Sequence, residues 1–163
     1  MTAAAHTVSA ATAWKRRLLW AGVAVAIAAA DLAVKTWAVA TLDNEAIEAG
    51  PVDLRLAYNP GAAFSLAANA PGMLILAVTT TITVVVAAAG WWFAPRVSPW
   101  VRAGSAAVLG GAAANVIDRV PDGLVTDYLH TGWWPTFNLA DTSIVLGAAT
   151  LALSTLLAKP DER

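Results

Sequence analysis

The sequence predicts a mainly α-helical, polytopic membrane protein with four transmembrane helices and a small extracytoplasmic element that contains a strand. Of its 163 residues, 58% are hydrophobic and 13% are charged, and the mean hydropathy is +0.62. A chain this short cannot bury so much apolar surface in one aqueous core. The charge-free runs fall at residues 18–30, 56–95, 103–117 and 142–158. These observations exclude a soluble globular domain and a disordered chain.

The four spans follow from the lengths of these runs, because a transmembrane helix needs about 20 residues. The first run continues apolar to Leu42, interrupted only by Asp31 and Lys35. The second is too long for one helix, and Asn59-Pro60-Gly61 and Pro71-Gly72 break it. We therefore expect spans at about 18–41, 73–93, 100–119 and 141–158, within a single membrane domain covering 1–163. Alternation of Leu54, Leu56 and Tyr58 with smaller or polar residues predicts a strand in the long outer loop.

Charge distribution predicts the orientation of the chain. Most basic residues lie on one side of the predicted spans: Lys15, Arg16, Arg17, Arg96, Arg102, Lys159 and Arg163. The positive-inside rule then puts both termini in the cytoplasm. An alternative for the N-terminus is a cleavable signal peptide, because residues 15–17 are basic and Ala28-Ala29-Ala30 follows an apolar stretch.

Composition and missing motifs narrow the function. The chain has 10 basic and 11 acidic residues and a net charge of −1, so the basic surface of a nucleic-acid-binding protein is absent. It has no cysteine, which excludes disulfides, thiolate nucleophiles and iron–sulfur clusters. The zinc motif His-Glu-x-x-His, the Gly-x-Ser-x-Gly elbow and the phosphate-binding loop are also missing. We therefore expect no nucleic-acid partner.

Polar side chains from several segments fall at one depth, near the predicted outer surface of the membrane. They are Asp31, Lys35, Asn59, Asn115, Asp118, Arg119, Asp127, Asn138 and Asp141. Ionisable groups within spans are costly and by default indicate a functional site. Two neighbouring carboxylates can share a proton, so that one activates water while the other donates to a carbonyl oxygen. This pattern alone leaves open which two aspartates would do so.

Structural interpretations stand beside the functional one. Asp31 and Lys35 lie four residues apart on one helix face and could form an ion pair that ties helices together. Asp118 and Arg119 could fix the loop that follows their helix. Asp141 could be the N-cap of the fourth helix, where its negative charge is favoured.

Five sequence stretches, taken in order, carry a resemblance to a known family. They are Asp31-x-x-x-Lys35, Asn59-Pro-Gly61-Ala-Ala-Phe-Ser65, Gly111-x-x-x-Asn115-x-x-Asp118-Arg119, Val125-Thr-Asp127-Tyr128 and Phe137-Asn138-Leu-Ala140-Asp141. Together they resemble the motifs of lipoprotein signal peptidases (signal peptidase II), which are bacterial membrane aspartic proteases. The resemblance covers most of the chain. Ala114, Thr126 and Tyr128 depart from it, where the family has glycine, valine and phenylalanine.

The resemblance implies roles for individual residues. Asp127 and Asp141 would be the catalytic pair. Residues that bind substrate or support the site would be Asp31, Lys35, Asn59, Gly61, Asn115, Asp118, Arg119, Asn138 and Ala140. The implied reaction removes the signal peptide from diacylglyceryl-modified prolipoproteins, just before the lipidated cysteine, with no metal or organic cofactor. The implied setting is a monomer in the bacterial cell membrane, in contact with lipid, with its active site at the outer face.

Two rival functions make different predictions from the same topology. A small transporter or channel subunit would carry acidic residues through the whole membrane, whereas the predicted inner half of the spans has none. A lipid-binding relative without catalysis would lack one carboxylate of the pair. Within the protease interpretation, part of the loop 42–72 is expected to act as a lid over the site.

Overall fold

The computed structural model describes residues 8–43, 45–61 and 72–157. Within these ranges the elements are α1 (Ala10–Thr41), β1 (Asp53–Asn59), α2 (Gly72–Phe93), α3 (Pro99–Arg119), β2 (Val125–His130) and α4 (Leu139–Leu156). Residues 62–65 of the Asn59 motif, and much of the loop expected to form a lid, lie outside the described ranges.

All four predicted spans correspond to helices, and capping residues set their starts. The first helix begins well before residue 18, because the Ser9 side chain accepts a hydrogen bond from the Thr12 backbone N–H. Helix α3 begins at Pro99, directly after its N-cap Ser98. Proline suits this position because the first N–H groups of a helix have no partner within the helix.

Three of the four described helices, α1, α2 and α4, are long and apolar enough to cross a membrane. Helix α3 does not meet that criterion, since it carries Arg102, Asn115, Asp118 and Arg119 and several glycines. It packs against each of the other three helices. A helix enclosed in this way exposes little surface to lipid and needs less apolar character. The count of four spans and the orientation of the chain therefore stay predictions.

Helices α3 and α4 approach each other closely through small residues. A Cβ atom added at Gly147 would lie 2.6 Å from the Gly104 carbonyl oxygen. One added at Gly111 would collide with the carbonyl oxygen of Ala140, in the first turn of α4. Such contacts are typical of membrane helices, whose association depends on close backbone packing. They bring the start of α4 directly against α3.

The two strands form one antiparallel sheet at the end of the bundle where α1 and α3 finish. Strand β1 confirms the strand expected around Leu54 to Tyr58. Asp127 lies in β2, opposite Ala57 of β1. The first four residues of β2 are all buried, so the strand lacks the alternating pattern by which a strand is recognised. Tyr128 packs against Ala38 and Leu42 and joins the sheet to α1.

Candidate active site

The first turn of α4 is held by side chains from three elements. The first N–H groups of a helix have no partner within the helix. Here Leu139, Ala140 and Asp141 donate theirs to Tyr128 Oη (3.0 Å), Asp31 Oδ1 (2.9 Å) and Asn138 Oδ1 (2.9 Å), in that order. Strand β2, helix α1 and the N-cap of α4 therefore jointly position the turn that carries Asp141.

Asp141 is not the N-cap that sequence reasoning offered as an alternative. Asn138 takes that role, and Asp141 is the third residue of the helix in a capping box. Its Oδ2 accepts from the Asn138 backbone N–H at 3.3 Å, while its Oδ1 accepts from Asn115 Nδ2 at 2.8 Å. One carboxylate oxygen thus serves the helix end, and the other is turned towards α3.

Asp127 is almost fully buried, with 1% of its surface exposed. Asn138 Nδ2 donates to its Oδ1 at 2.7 Å, and Asn59 Nδ2 donates to its Oδ2 at 3.1 Å. Burial, and then the negative charge of Asp141, raise the pKa of Asp127 to about 6, although the two asparagine amides and Lys35 act in the opposite direction. This carboxyl is therefore poised to exchange a proton near neutral pH.

Two asparagine amides connect Asp127 with Asp141. Asn138 Nδ2 lies 3.2 Å from Asn115 Oδ1, in addition to its bond with Asp127. Lys35 Nζ donates to the same Asn115 oxygen at 2.7 Å. Because an ammonium group can only donate, Asn115 must turn its oxygen to Lys35 and its NH₂ group to Asp141. The cation thereby fixes the direction of the hydrogen bond that Asp141 receives.

Lys35 joins three groups while only 3% exposed. Besides Asn115, its ammonium forms ion pairs with Asp31 Oδ2 at 2.9 Å and with Asp118 Oδ2 at 3.2 Å. The expected Asp31–Lys35 ion pair is present within α1, and other contacts of its two members link α1 to α3 and to α4. Buried charges are retained at low cost only when they are paired and hydrogen-bonded in this way.

Asp118 and Arg119 occupy different surroundings. Asp118 Oδ2 also accepts from the Thr126 backbone N–H at 2.7 Å, so Asp118 links α3 with β2. Arg119 is 6% exposed, and its guanidinium lies beside Gly61. Gly61 has φ +92° and donates its N–H to Asn59 Oδ1 at 2.8 Å, a tight turn that favours glycine. The same Asn59 amide holds Asp127, so this turn adjoins the site.

Sequence reasoning noted three positions only as departures from the family pattern, and each makes a defined contact. The Tyr128 hydroxyl lies 3.4 Å from Asp31 Oδ1 and accepts from the Leu139 N–H. The Thr126 hydroxyl lies 3.4 Å from Asp118 Oδ1. Ala114 is fully buried between Ala28 of α1 and Ala140 of α4. The first two contacts had a signal in the sequence, because Thr126 and Tyr128, on either side of Asp127, both carry a hydroxyl.

A cavity of about 380 Å³ opens beside Asp141. Its other lining residues are apolar or carry a hydroxyl: Thr131, Trp133, Trp134, Phe137, Thr142, Val145 and Leu146. Trp133 is 80% exposed at its rim. Within the described ranges, no group of three or more histidine, aspartate or glutamate side chains is arranged to hold a metal ion. The site therefore presents one accessible carboxylate to an apolar space.

The fold and this site define a class of protein: a helical membrane protein that holds a connected pair of carboxylates beside an apolar cavity at one end of its bundle. Comparison with known proteins narrows that class. The family model described as signal peptidase (SPase) II matches residues 23–157, and the chain belongs to the signal peptidase II family. It is accordingly a membrane peptidase of lipoprotein processing. A transporter or channel subunit is thereby set aside.

Two known relatives align with most of this chain. The lipoprotein signal peptidase of Rhodococcus jostii (strain RHA1) is 40% identical over 157 residues, which cover 90% of this chain and 77% of that protein. That of Mycobacterium avium (strain 104) is 37% identical over 148 residues, covering 85% and 79%. A bacterial membrane enzyme solved in meso at 1.9 Å resolution superposes with a TM-score of 0.70 at 23% identity, covering 84% of this chain and 92% of that one. It shares the fold.

Proposed function

We propose that the chain is an aspartic endopeptidase that cleaves diacylglyceryl-modified prolipoproteins just before the lipidated cysteine, with Asp127 and Asp141 activating water. The observation that carries this proposal is the pair of carboxylates connected through Asn138 and Asn115 beside an apolar cavity. Family membership supports the substrate class.

The choice of these two aspartates rests on charge pairing. Four aspartates meet at this end of the bundle, and Asp31 and Asp118 both form ion pairs with Lys35. Asp127 and Asp141 instead accept hydrogen bonds from neutral amides. No salt bridge within 4.0 Å reaches either of them from the residues that the structure describes. They are the carboxylates whose proton is free to move during a reaction.

Their surroundings suggest separate roles. Asp141 lines the cavity and lies in the first turn of α4, where the helix dipole stabilises a negative charge. We assign it the role of general base. Asp127 is buried, and its pKa of about 6 favours the protonated form more than an ordinary aspartate does. We assign it the role of proton donor to the scissile carbonyl oxygen.

The reaction then follows in two steps. Asp141 removes a proton from water as the water oxygen attacks the carbonyl carbon, and Asp127 gives its proton to the carbonyl oxygen. The resulting gem-diol collapses as the proton held by Asp141 passes to the leaving amine, which breaks the C–N bond. A proton of the gem-diol returns to Asp127. Water is consumed, and an acid and an amine are formed.

The cavity suggests why a lipidated substrate would be preferred. Apolar parts of the substrate in contact with Trp134, Phe137 and Leu146 would hold the peptide bond at the depth of Asp141. Positioning of this kind removes much of the entropic part of an activation barrier. An unlipidated substrate would lack that anchor.

The test is a cleavage assay in detergent with a lipidated prolipoprotein and its unlipidated twin. We expect only the lipidated form to be cut, and Asp127→Asn and Asp141→Asn to lower kcat by about 10³-fold or more while remaining folded. Asp122→Asn is the matched control, because Asp122 is an exposed turn residue that accepts from the Leu124 N–H. Retention of activity in either site variant would overturn the pair. If Asp118→Asn lost all activity while Asp127→Asn or Asp141→Asn stayed active, Asp118 would take the place of that active variant's residue in the catalytic pair.

A further inference from the structure

The end of the bundle opposite the aspartates gathers four arginines around the C-terminus of α2. We call these residues the arginine cluster. They donate to backbone carbonyls as follows: Arg16 Nη1 to Pro95 (2.7 Å), Arg17 Nε to Trp91 (3.0 Å), Arg96 Nη1 to Trp92 (2.6 Å) and Arg102 Nη1 to Ala94 (3.0 Å). The exposed Lys15 stands next to them on α1. Two separate helices and one loop thus supply positive charge to one place.

The arginine cluster is remote from the candidate active site. Arg16 and Asp31 lie on the same helix α1, and Arg102 and Asp118 lie on the same helix α3. At about 1.5 Å of rise per residue, each pair is separated by roughly 22–24 Å along its helix. The cluster therefore has no direct part in the chemistry at Asp127 and Asp141.

Capping of α2 accounts for only part of this charge. Basic side chains near a helix C-terminus bind its last carbonyls and offset a dipole equivalent to roughly half an elementary charge. The four positive charges of these guanidinium groups exceed that half charge several-fold. None of them, nor Lys15, forms a salt bridge with a carboxylate in the described part of the chain. Each guanidinium has five N–H donors and uses one on a carbonyl here, so donors remain for an anion.

The surroundings of the cluster match the interface of a membrane. The Arg17 and Arg96 guanidinium groups lie 5.7 Å and 5.6 Å from the ring centres of Trp91 and Trp92. Trp14 packs edge-on against Trp91 with centroids 5.5 Å apart. Tryptophan is enriched at the level of lipid headgroups. Cations at this depth lie where phosphodiesters lie.

The exposed outer face of α1 turns apolar directly after Lys15. Lys15, Leu18, Leu19 and Val23 share this face at helical spacing and line a shallow open space of about 520 Å³. A cationic group at one end of an apolar helix face matches an amphiphile whose anionic head adjoins an acyl chain. Inorganic phosphate would use only the cationic end.

We propose that the arginine cluster, Lys15 and this apolar face of α1 form a binding site for an anionic phospholipid. The phosphodiester binds Lys15 and the free donors of the arginines, and an acyl chain lies along Leu18, Leu19 and Val23. Such a lipid would tie the C-terminus of α2 to α1 and to the start of α3. The site is separate from the proposed peptidase chemistry and does not depend on it.

Native mass spectrometry of the whole protein tests the proposal, with phosphatidylglycerol and phosphatidylcholine competing for binding. We expect Arg17→Gln/Arg96→Gln to weaken the preference for phosphatidylglycerol by roughly tenfold or more, because two charges are lost. The matched pair Arg17→Lys/Arg96→Lys keeps the charge and should retain the preference. Arg55→Gln removes one charge at the opposite end and should leave the preference unchanged.

Lys15→Gln offers a second variant, because this side chain is exposed. It should weaken phosphatidylglycerol binding several-fold, and added salt should reduce the preference of the wild type. An unchanged preference in both glutamine variants would overturn the site, and so would an equal loss in Arg55→Gln. If inorganic phosphate alone displaced phosphatidylglycerol, the cluster would be a site for a free anion. That result would overturn the assignment of a phospholipid as its ligand.

Discussion

The two ends of this helical bundle both concentrate charge, but they manage it in opposite ways. At the aspartate end, Lys35 pairs with Asp31 and Asp118 inside the protein, and amides orient the remaining carboxylates. At the arginine end, charges of one sign lie at the surface, held by backbone carbonyls and tryptophan rings. Buried charge that is paired internally specifies a geometry. Interfacial charge that has no carboxylate partner is suited to a ligand or to the membrane.

Removal of Lys35 should give the largest difference between the two ends. Lys35→Met leaves Asp31 and Asp118 without their cation, and breaking a buried ion pair costs about 3–5 kcal/mol of unfolding free energy. Arg96→Met at the other end should cost less than about 1 kcal/mol, since that side chain is exposed. Unfolding in detergent with increasing denaturant would compare the two. Equal losses would mean that internal pairing does not distinguish the ends.

Packing of α3 on α4 offers a second test, because two glycines make similar contacts at different distances from the aspartates. A methyl group at Gly111 would push on Ala140, next to Asp141, and a displacement of about 1 Å can cost about 10²-fold in rate. A methyl group at Gly104 would press on the Gly147 carbonyl oxygen at 2.9 Å, about 9 Å further along α4 from Asp141.

We therefore expect Gly111→Ala to lower kcat by about 10–100-fold. Gly104→Ala should lower the melting temperature while kcat changes little. Both quantities can be measured on the same detergent-solubilised samples. Loss of kcat in Gly104→Ala alone would contradict the view that the first turn of α4 is the sensitive contact.

The pH dependence tests Asp127. Its pKa in the folded protein is raised to about 6, so the stabilising contribution of its protonated form is complete below the ordinary value of 3.8 and is lost as pH rises through about 6. Asp127 should contribute roughly 2–3 kcal/mol to the fall in wild-type stability across this window, and Asp127→Asn should remove that contribution. In the wild type, kcat/KM should also decline above about pH 6 as Asp127 loses its proton. Thermal unfolding and kinetics over a pH series would measure both, and identical unfolding profiles for wild type and Asp127→Asn would contradict the assignment.

Tyr128→Phe should have the smallest effect. It removes the hydroxyl that accepts from the Leu139 N–H and approaches Asp31, and one neutral hydrogen bond contributes about 0.5–1.5 kcal/mol. We expect kcat to fall about two- to tenfold with KM unchanged, since the hydroxyl positions the turn of Asp141 and does not line the cavity. A rise in KM without a change in kcat would instead indicate a contact with substrate.

Much of the fold could be predicted from local signals. Apolar run lengths located all four helices, and Asn59-Pro60-Gly61 correctly ended the element before it. Strand β2 could not be predicted, because Val125 to Tyr128 are buried on both faces and lose the alternation that marks a strand. The start of α1 was also misplaced, since the Ser9 cap lies in a polar stretch outside the apolar run.

At the candidate site, the residue types that meet could be predicted from the sequence, because the motif spacing places polar groups at the ends of helices whose lengths are set by their apolar runs. Which carboxylates keep a cation depends instead on how the helices pack. Asp31 and Asp118 face Lys35, whereas Asp127 and Asp141 face asparagines. These contacts join α1, α3, β2 and α4 across long stretches of chain. Spacing along one helix cannot encode them, since they depend on how closely glycine and alanine allow the helices to approach.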